Sequence, residues 1–324
     1  MNSRALRFSG LFAAALVLLV VVSGSVAQTE PFRVVFLGES SSTDIIWAYR
    51  VERLQEAAAA VGAEFTFRFA EGDYARHAEM IEEEVVRGVD AIIGPWWDQT
   101  IYNNAFTTAV ENGVFIYGLL GIEPRYTLPD EIVAKLGWAE TSWRDFGWQA
   151  ATVALDYIPD GGKVFWPAEA PSGTYITDAV QGFKDYYTQQ GRTVNIEIVE
   201  VGFDTTTAIS RISSYLIANA DVDALITSGA IAINAANIAV KDMGMAPGDV
   251  ALIGQVVSPA SVQGIVEGYM PVGVNLELTD SSYFALLESL AVVKLGAKPP
   301  QGSVGFDIVT QENVTTVVPE ALQG

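Results

Sequence analysis

The stretch FRVVFLGESSSTDIIWAYR, residues 32–50, is the part of the sequence that best predicts the fold. It opens with an apolar run, Val34 to Leu37, whose β-branched and aromatic residues are typical of a strand buried on both faces. Gly38 ends that run, and a polar tract leads into an apolar helical pattern. A strand whose loop delivers polar side chains to a helix N-terminus is typical of the ligand-facing edge of an α/β sheet. We therefore expect Asp44 and Trp47 to belong to a binding site at this edge.

The segment before this stretch has the pattern of a secretory signal peptide. Arg4 and Arg7 precede an unbroken apolar run, residues 11–22, and a series of small residues ends at Ala27. The run is short for a bilayer span, which takes about 20 residues. We predict cleavage after Ala27 and a mature protein exported to the periplasm, with an uncleaved anchor as the alternative.

Composition excludes several classes of protein. The sequence holds no Cys, so disulfides, thiolate nucleophiles and Cys-based metal sites are excluded. The formal net charge is −21, and it would become −23 without residues 1–27, which carry two Arg and no acidic residue. Such acidity argues against nucleic acid and anionic membrane surfaces as partners.

Catalytic and metal-binding patterns are not found. His77 is the only His, and its acidic neighbours Asp73 and Glu79 favour a surface imidazole among carboxylates. A single His without Cys cannot form a conventional zinc site, and the sequence has neither a calcium loop nor a Gly-x-Ser-x-Gly elbow. Glu82 to Glu84 are interpreted as a solvated helix face. We predict no enzymatic activity, no cofactor and no metal.

Strand and helix patterns alternate through the rest of the chain. Strands are predicted at residues 64–69, 90–94, 114–117 and 132–137, and the alternation restarts after residue 140 with strands at 163–166, 194–201, 223–227, 250–254, 272–276 and 304–309. Repeated strand–helix–strand units imply parallel strands joined by right-handed crossovers. We therefore predict an α/β fold of two doubly wound parallel-sheet lobes with a cleft between them.

Taken together, these segments resemble type I periplasmic solute-binding proteins, of the ribose-binding and related sugar-transporter families. The resemblance covers residues 32–310 and rests on the order and spacing of the first strand and helix, RGVDAII (87–93), DVDALIT (221–227) and DVALIG (249–254). It implies a three-segment hinge, with crossings between lobes near Ala139, Asn275 and Gln301. The predicted domains are then a signal peptide over residues 1–27, an N-terminal lobe over 28–139 plus 276–302, and a C-terminal lobe over 140–275 plus 303–324.

The resemblance also implies which residues hold the solute. Asp44, Ile46 and Trp47 match the positions of a polar group and aromatic rings of the sugar site. Phe203 matches the opposing lobe's aromatic ring. Asn275 matches a polar residue beside the hinge. Trp96 and Trp97 end a predicted strand at the same edge as Trp47, and Trp143 is a weaker candidate near a lobe crossing. The predicted ligand-binding residues are Asp44, Trp47, Trp96, Trp97, Tyr175, Thr177, Phe203, Ser228, Gln255 and Asn275.

The chain departs from the family's sugar-binding pattern at several positions. Gly118-Leu119 stand where sugar binders usually carry an acidic–basic pair, and Thr177 stands where an Arg often holds the ligand. Gly229 and Val256 stand where Asn and Asp often hold hydroxyls. A hydroxyl buried without a partner costs about 1–3 kcal/mol. The sequence therefore leaves open which other polar groups would replace these anchors.

The function that the resemblance implies is delivery of a small neutral solute, a sugar or polyol, to an ABC permease by a monomeric protein. Contacts from the solute to both lobes would stabilise the closed state. Two alternatives stay open. The same fold would suit a less polar or aromatic solute, or a signalling furanose, in a cleft lined by Trp96, Trp97 and Leu119. In the second alternative the protein presents its ligand state to a chemoreceptor.

Overall fold

The computed structural model describes residues 30–41, 44–276 and 278–318. The predicted signal peptide, residues 1–27, lies outside the described residues, as do residues 319–324 of the predicted C-terminal lobe. From Phe32 onward the chain forms one compact unit. None of the helices in the described part combines the length and the apolarity needed to cross a membrane.

The first sheet contains six parallel strands in the order β11-β5-β4-β3-β1-β2. Strand β1 lies inside the sheet, between β2 and β3, and Val34 to Leu37 are almost fully buried. The predicted strand buried on both faces is therefore confirmed. The strands of this sheet are β1 (Arg33–Gly38), β2 (Glu64–Phe69), β3 (Ala91–Trp96), β4 (Phe115–Ile122), β5 (Gly137–Thr141) and β11 (Gln301–Val304).

The second sheet repeats this arrangement with the order β12-β10-β9-β8-β6-β7. Its inner strands are parallel, and β12 pairs antiparallel to β10 at the edge. Strand β6 occupies the place that β1 has in the first sheet. The strands of this sheet are β6 (Gly162–Ala168), β7 (Val194–Glu200), β8 (Ala224–Thr227), β9 (Ala251–Gln255), β10 (Val272–Asn275) and β12 (Asp307–Val309).

Helices connect the strands, and several begin at a side chain that caps the first turn. Asp44, Asp73, Ser142, Asp204 and Ser258 each accept a hydrogen bond from a backbone N–H of the helix that follows, which satisfies a donor that the helix itself leaves free. The helices are α1 (Ile45–Val61), α2 (Tyr74–Arg87), α3 (Asn103–Glu111), α4 (Asp130–Val133), α5 (Trp143–Ala154), α6 (Thr174–Gln189), α7 (Thr205–Ala218), α8 (Ala230–Asp242), α9 (Pro259–Val266), α10 (Leu278–Leu295) and α11 (Val314–Val317), with a 3₁₀ turn at Glu123–Tyr126.

The chain passes between the two sheets three times. It leaves the first sheet after β5, returns after β10 to form α10, which packs on α1 and β4, and leaves again between β11 and β12. The predicted lobe boundaries at residues 139 and 302 fall inside β5 and β11, both of which belong to the first sheet.

Two predicted strands differ from the structure. Residues 132–137 were expected to be a strand, but Asp130–Val133 form a helical turn, and β5 begins only at Gly137. The predicted strand over residues 304–309 is also wrong. It is two strands, β11 and β12, that belong to different sheets, because the chain crosses between the lobes at Gly305 and Phe306.

Helices α5 and α6 approach each other closely through two glycines. A Cβ atom at Gly147 would lie 1.8 Å from the Ala179 carbonyl oxygen, and one at Gly182 would lie 1.9 Å from the Arg144 carbonyl oxygen. Backbone therefore packs directly on backbone at these two glycines, and a side chain does not fit at either position.

We expect Gly147→Ala to lower the free energy of unfolding by about 1–3 kcal/mol, because the added methyl group must push α5 and α6 apart. Gly302→Ala is the matched control, since a Cβ atom at Gly302 has no neighbour within 4 Å. Chemical denaturation followed by circular dichroism measures both. Equal stability of the two variants would contradict the close approach.

Candidate functional site

The carboxyl ends of both sheets face one cavity, with about 380 Å³ of space free of protein atoms, including its opening. Corresponding strands contribute from each sheet: Glu39 follows β1 and Glu169 follows β6, while Trp97 follows β3 and Ser228 follows β8. This is the edge where parallel α/β sheets bind ligands. The lining residues are Glu39, Asp44, Ile46, Trp47, Trp97, Leu120, Trp143, Glu169, Tyr175, Phe203, Ser228, Ala230 and Gln255.

Five aromatic rings form most of the cavity wall, and they come from both lobes. The Trp97 ring centroid lies 5.4 Å from that of Tyr175 and 5.8 Å from that of Trp143. The Trp97 carbonyl oxygen accepts a hydrogen bond of 3.2 Å from the Thr174 hydroxyl at the start of α6. Trp97 therefore connects the first lobe to the second, and the lobes are closed on each other.

Glu39 is the most unusual polar group in the cavity. Its Oε1 accepts a hydrogen bond of 2.9 Å from Trp97 Nε1, whereas its Oε2 is buried without a partner among the described residues. Burial raises the pKa of Glu39 to about 8, and the nearby charge of Asp44 adds to this, while the hydrogen bond from Trp97 opposes it.

Asp44 and Glu169 are the other two carboxyl groups, and each also caps a helix. Asp44 accepts hydrogen bonds from the Ile46 amide at 3.1 Å and from the Ser40 hydroxyl at 2.9 Å. Glu169 accepts one from the Ala232 amide, at the start of α8, at 2.9 Å. Burial raises the pKa of Asp44 to about 6 and that of Glu169 to about 7, although these hydrogen bonds lower both.

Arg50 lies behind the cavity wall and is fully buried. Its guanidinium is 5.5 Å from the centroid of the Trp47 ring and donates a 2.9 Å hydrogen bond to the Ser282 hydroxyl of α10. Burial lowers the pKa of Arg50 to about 9, and the charges of Glu39 and Asp44 oppose that shift. Arg50 thus places a positive charge beneath the acidic side of the site.

The second lobe adds polar groups at the ends of β8 and β9. The Ser228 hydroxyl donates to the Tyr175 carbonyl oxygen at 2.6 Å, and the Gln255 amide donates to the Ser228 carbonyl oxygen. Gln255 Oε1 and Trp143 Nε1 are buried without a partner among the described residues. Together with Glu39 Oε2, they are the polar atoms without a partner among the described residues that line the cavity.

Seven of the ten predicted site residues line the cavity: Asp44, Trp47, Trp97, Tyr175, Phe203, Ser228 and Gln255. The other three lie elsewhere. Trp96 is fully buried on the opposite face of the sheet from Trp97, because successive residues of a strand point to opposite faces. The Trp96 ring stacks on the His77 ring, with the two centroids 4.8 Å apart. Thr177 is exposed on α6. Asn275 donates to the Val317 carbonyl oxygen at 3.0 Å and does not line the cavity.

Three further sequence interpretations are corrected by the structure. His77 is fully buried between Tyr102 and the Leu37 carbonyl oxygen, each 3.1 Å away, and burial lowers its pKa to about 4. Leu119 packs in the core, and its neighbour Leu120, with a φ of 72°, lines the cavity instead. Glu84 is buried and paired with arginines rather than solvated.

Ile46, which matches a ligand position of the family, also lines the cavity, whereas Glu39, Leu120, Glu169 and Ala230 were not expected from the sequence and Trp143 was only a weaker candidate. One signal could have found the two acids. VVFLGE ends at Glu39 and VFWPAE ends at Glu169, so each follows the first strand of its lobe. An alignment of the two repeats would have paired them. Across the described residues, no group of three His or acidic side chains is placed to hold a metal ion.

Two doubly wound lobes that share a cavity at their strand ends define the type I periplasmic binding protein fold. The chain belongs to the periplasmic binding protein domain family, whose model matches residues 34–286. Among curated proteins, none matches the sequence. The family consists of solute-binding proteins, which are not enzymes.

Solved structures with the same fold include the following three. A myo-inositol binding protein from Caulobacter is 20% identical, with a TM-score of 0.77 over 91% of this chain and 98% of the other. An ABC transporter solute binding protein from Agrobacterium vitis, bound with alpha-D-tagatopyranose, is 18% identical, with a TM-score of 0.77 and coverage of 90% and 98%. A glucose-galactose binding protein from Geobacillus stearothermophilus is 16% identical, with a TM-score of 0.74 and coverage of 88% and 99%.

We expect Glu39→Gln to stabilise the ligand-free protein at pH 8 but not at pH 4.5. Glu39 has a raised pKa, so the folded state binds more protons than the unfolded state between these values, and stability falls as pH rises. Gln does not ionise, so the variant keeps the stability that the wild type loses through Glu39 as the pH rises. That difference in the free energy of unfolding is on the order of 1 kcal/mol or more, since one pKa unit is about 1.4 kcal/mol.

Denaturant unfolding at the two pH values measures the difference, and Glu131→Gln, at an exposed position of α4, is the matched control. Asp44 and Glu169 also face the cavity with raised pKa values, so the variant keeps part of the pH dependence. A Glu39→Gln protein that tracks the wild type at both pH values would show that Glu39 carries no such cost.

Proposed function

We propose that the mature protein is an exported solute-binding protein that takes up a sugar or polyol in the interlobe cavity and delivers it to an ABC permease. The observation that carries this proposal is the wall of aromatic rings from both lobes, together with buried polar atoms that have no partner among the described residues. Aromatic rings pack on the C–H faces of sugars, and the polar atoms would bind hydroxyls. Membership of the periplasmic binding protein family supports the same function.

The solved structures of the same fold support a sugar or polyol as the solute class. Structures of this fold hold myo-inositol, alpha-D-tagatopyranose, D-allose and D-fucose as bound molecules. In this chain Asp44, Glu39 and Gln255 replace the polar anchors that the sequence pattern lacks. The proposal includes a monomeric protein in the periplasm, with the signal peptide cleaved after Ala27.

The contacts between the lobes support a closing mechanism. Trp97 of the first lobe touches Tyr175 and Thr174 of the second, and the Phe203 ring packs against Gly72, where a Cβ atom would lie 2.9 Å from the ring. A solute that binds these same elements adds contacts that exist only when the lobes are together. It therefore shifts the equilibrium towards the closed state.

A thermal-shift screen of residues 28–324 against sugars, polyols, nucleosides and aromatic acids tests the solute class. A ligand at 100 times its dissociation constant adds about 2.7 kcal/mol of stability, which raises the melting temperature measurably. We expect a response to one sugar or polyol stereoisomer. A response to aromatic acids alone would overturn the sugar proposal and favour the less polar solute.

We expect Phe203→Ala to weaken solute binding about tenfold, the scale of removing an aromatic side chain that anchors a ligand. Phe203 is only half-buried, so the fold should be retained. Phe284→Ala, at an exposed position of α10, is the matched aromatic control. Isothermal titration calorimetry with the solute found in the screen measures both affinities, and equal affinities would remove Phe203 from the site.

A further inference from the structure

Every charged side chain that lines the cavity, among the residues that the structure describes, is acidic. Glu39, Asp44 and Glu169 line it, each with no more than 6% of its surface exposed, and no Lys, Arg or His is among the lining residues. A solute whose polar groups are all hydroxyls does not need three carboxyl groups to bind it. At least one of the three carboxyl groups is therefore available to bind a group other than a hydroxyl.

The positive charges around the cavity are fewer than its carboxyl groups. Asp44 accepts from the first turn of α1 and Glu169 from the first turn of α8, and a helix N-terminus carries about half a positive charge. Arg50 contributes one full positive charge from behind Trp47. If all three carboxyl groups were ionised, these groups would balance about two of the three negative charges, and about one would be left for a cationic ligand to balance.

The hydrogen-bonding groups of the cavity point to the same conclusion. Of the unpartnered atoms, Gln255 Oε1 is an acceptor, Glu39 Oε2 is an acceptor when its carboxyl group is ionised, and Trp143 Nε1 is a donor. Glu39 is 95% buried and lines the cavity, and its Oε2 has no partner among the described residues. An ammonium group has three donors and no acceptor, whereas a hydroxyl group both donates and accepts.

The aromatic wall suits a cation as well as a sugar ring. Trp47, Trp97, Trp143, Tyr175 and Phe203 surround the space next to Glu39. The face of an aromatic ring attracts a cation within about 6 Å, most strongly where water is excluded. A positive charge placed here is stabilised by the rings and by Glu39 together.

We propose that the solute carries one protonated amino group, which Glu39 binds within the aromatic wall, so that the ligand is an amino sugar or aminocyclitol. This inference rests on the proposed function, since the hydroxylated ring comes from there. It replaces the neutral solute that the sequence analysis expects. Glu39 is then the residue that determines specificity for the amine.

Calorimetry on the mature protein with matched sets of compounds tests the inference. Each set contains a neutral sugar, its 2-amino derivative and the N-acetylated derivative, for the glucose, galactose and mannose series, and amino-inositol is paired with myo-inositol. Tyramine and choline form a set of amines without a sugar ring. We expect the amino compound of one set to bind at least about tenfold more tightly than both of its neutral relatives.

The outcomes separate this inference from the proposed function. A neutral sugar that binds more tightly than its amino derivative overturns the amine and leaves the sugar function standing. Binding of tyramine or choline without any sugar overturns the sugar function and upholds the cation site. Absence of binding in every set counts against both.

Two variants test the role of Glu39 itself. In Glu39→Gln we expect the preference for the amino compound over the neutral relative to fall to about twofold or less. Glu39→Asp keeps the charge and should keep most of the preference. A preference unchanged in Glu39→Gln would overturn the assignment of Glu39, and the wild-type ratios decide the ligand class even if a variant does not fold.

Discussion

The hydrogen bond from Trp97 Nε1 to Glu39 is the interaction on which the site depends. It joins the residue that follows β1 to the residue that follows β3, so it fixes two strand ends of the first lobe relative to each other. It also orients the indole towards Tyr175 and Trp143 of the second lobe. Gly121 makes this possible, because a Cβ atom there would lie only 2.2 Å from the Trp97 ring. The position of Trp97, and with it the contact between the lobes, thus depends on the buried Glu39.

The two lobes repeat one strand order, and the repetition places equivalent residues opposite each other. Glu39 and Glu169 follow equivalent strands, yet their surroundings differ. Glu169 accepts a backbone hydrogen bond at the start of α8, and Gly229 leaves the space for it, since a Cβ atom there would lie 1.9 Å from its carboxyl group. Glu39 has an indole as its partner, and its second oxygen has none within the described part of the chain. The repeat therefore supplies one structural acid and one that is available to a ligand.

Sequence patterns predicted the lobes because buried parallel strands such as Val34 to Leu37 are encoded locally. They placed a strand over residues 132–137, where the structure has a helical turn, and therefore missed β5, which begins at Gly137. They also could not separate Trp96 from Trp97, since the face on which a strand residue lies depends on the register of the sheet. His77 shows the same limit, because its acidic neighbours Asp73 and Glu79 are exposed, whereas His77 itself is buried against the Trp96 ring. Tertiary contact, rather than local pattern, decides such positions.

The buried carboxyl groups also explain why closure would depend on a solute. A charged group taken out of water without a full partner is costly, and the raised pKa values of Glu39, Asp44 and Glu169 express that cost. Separation of the lobes would return these groups to water, so the carboxylates favour the open state while the contacts of Trp97 and Phe203 favour the closed one. A ligand that satisfies Glu39 removes part of the cost only when the lobes are together. The acidic cavity therefore opposes closure without a ligand and supports closure with one.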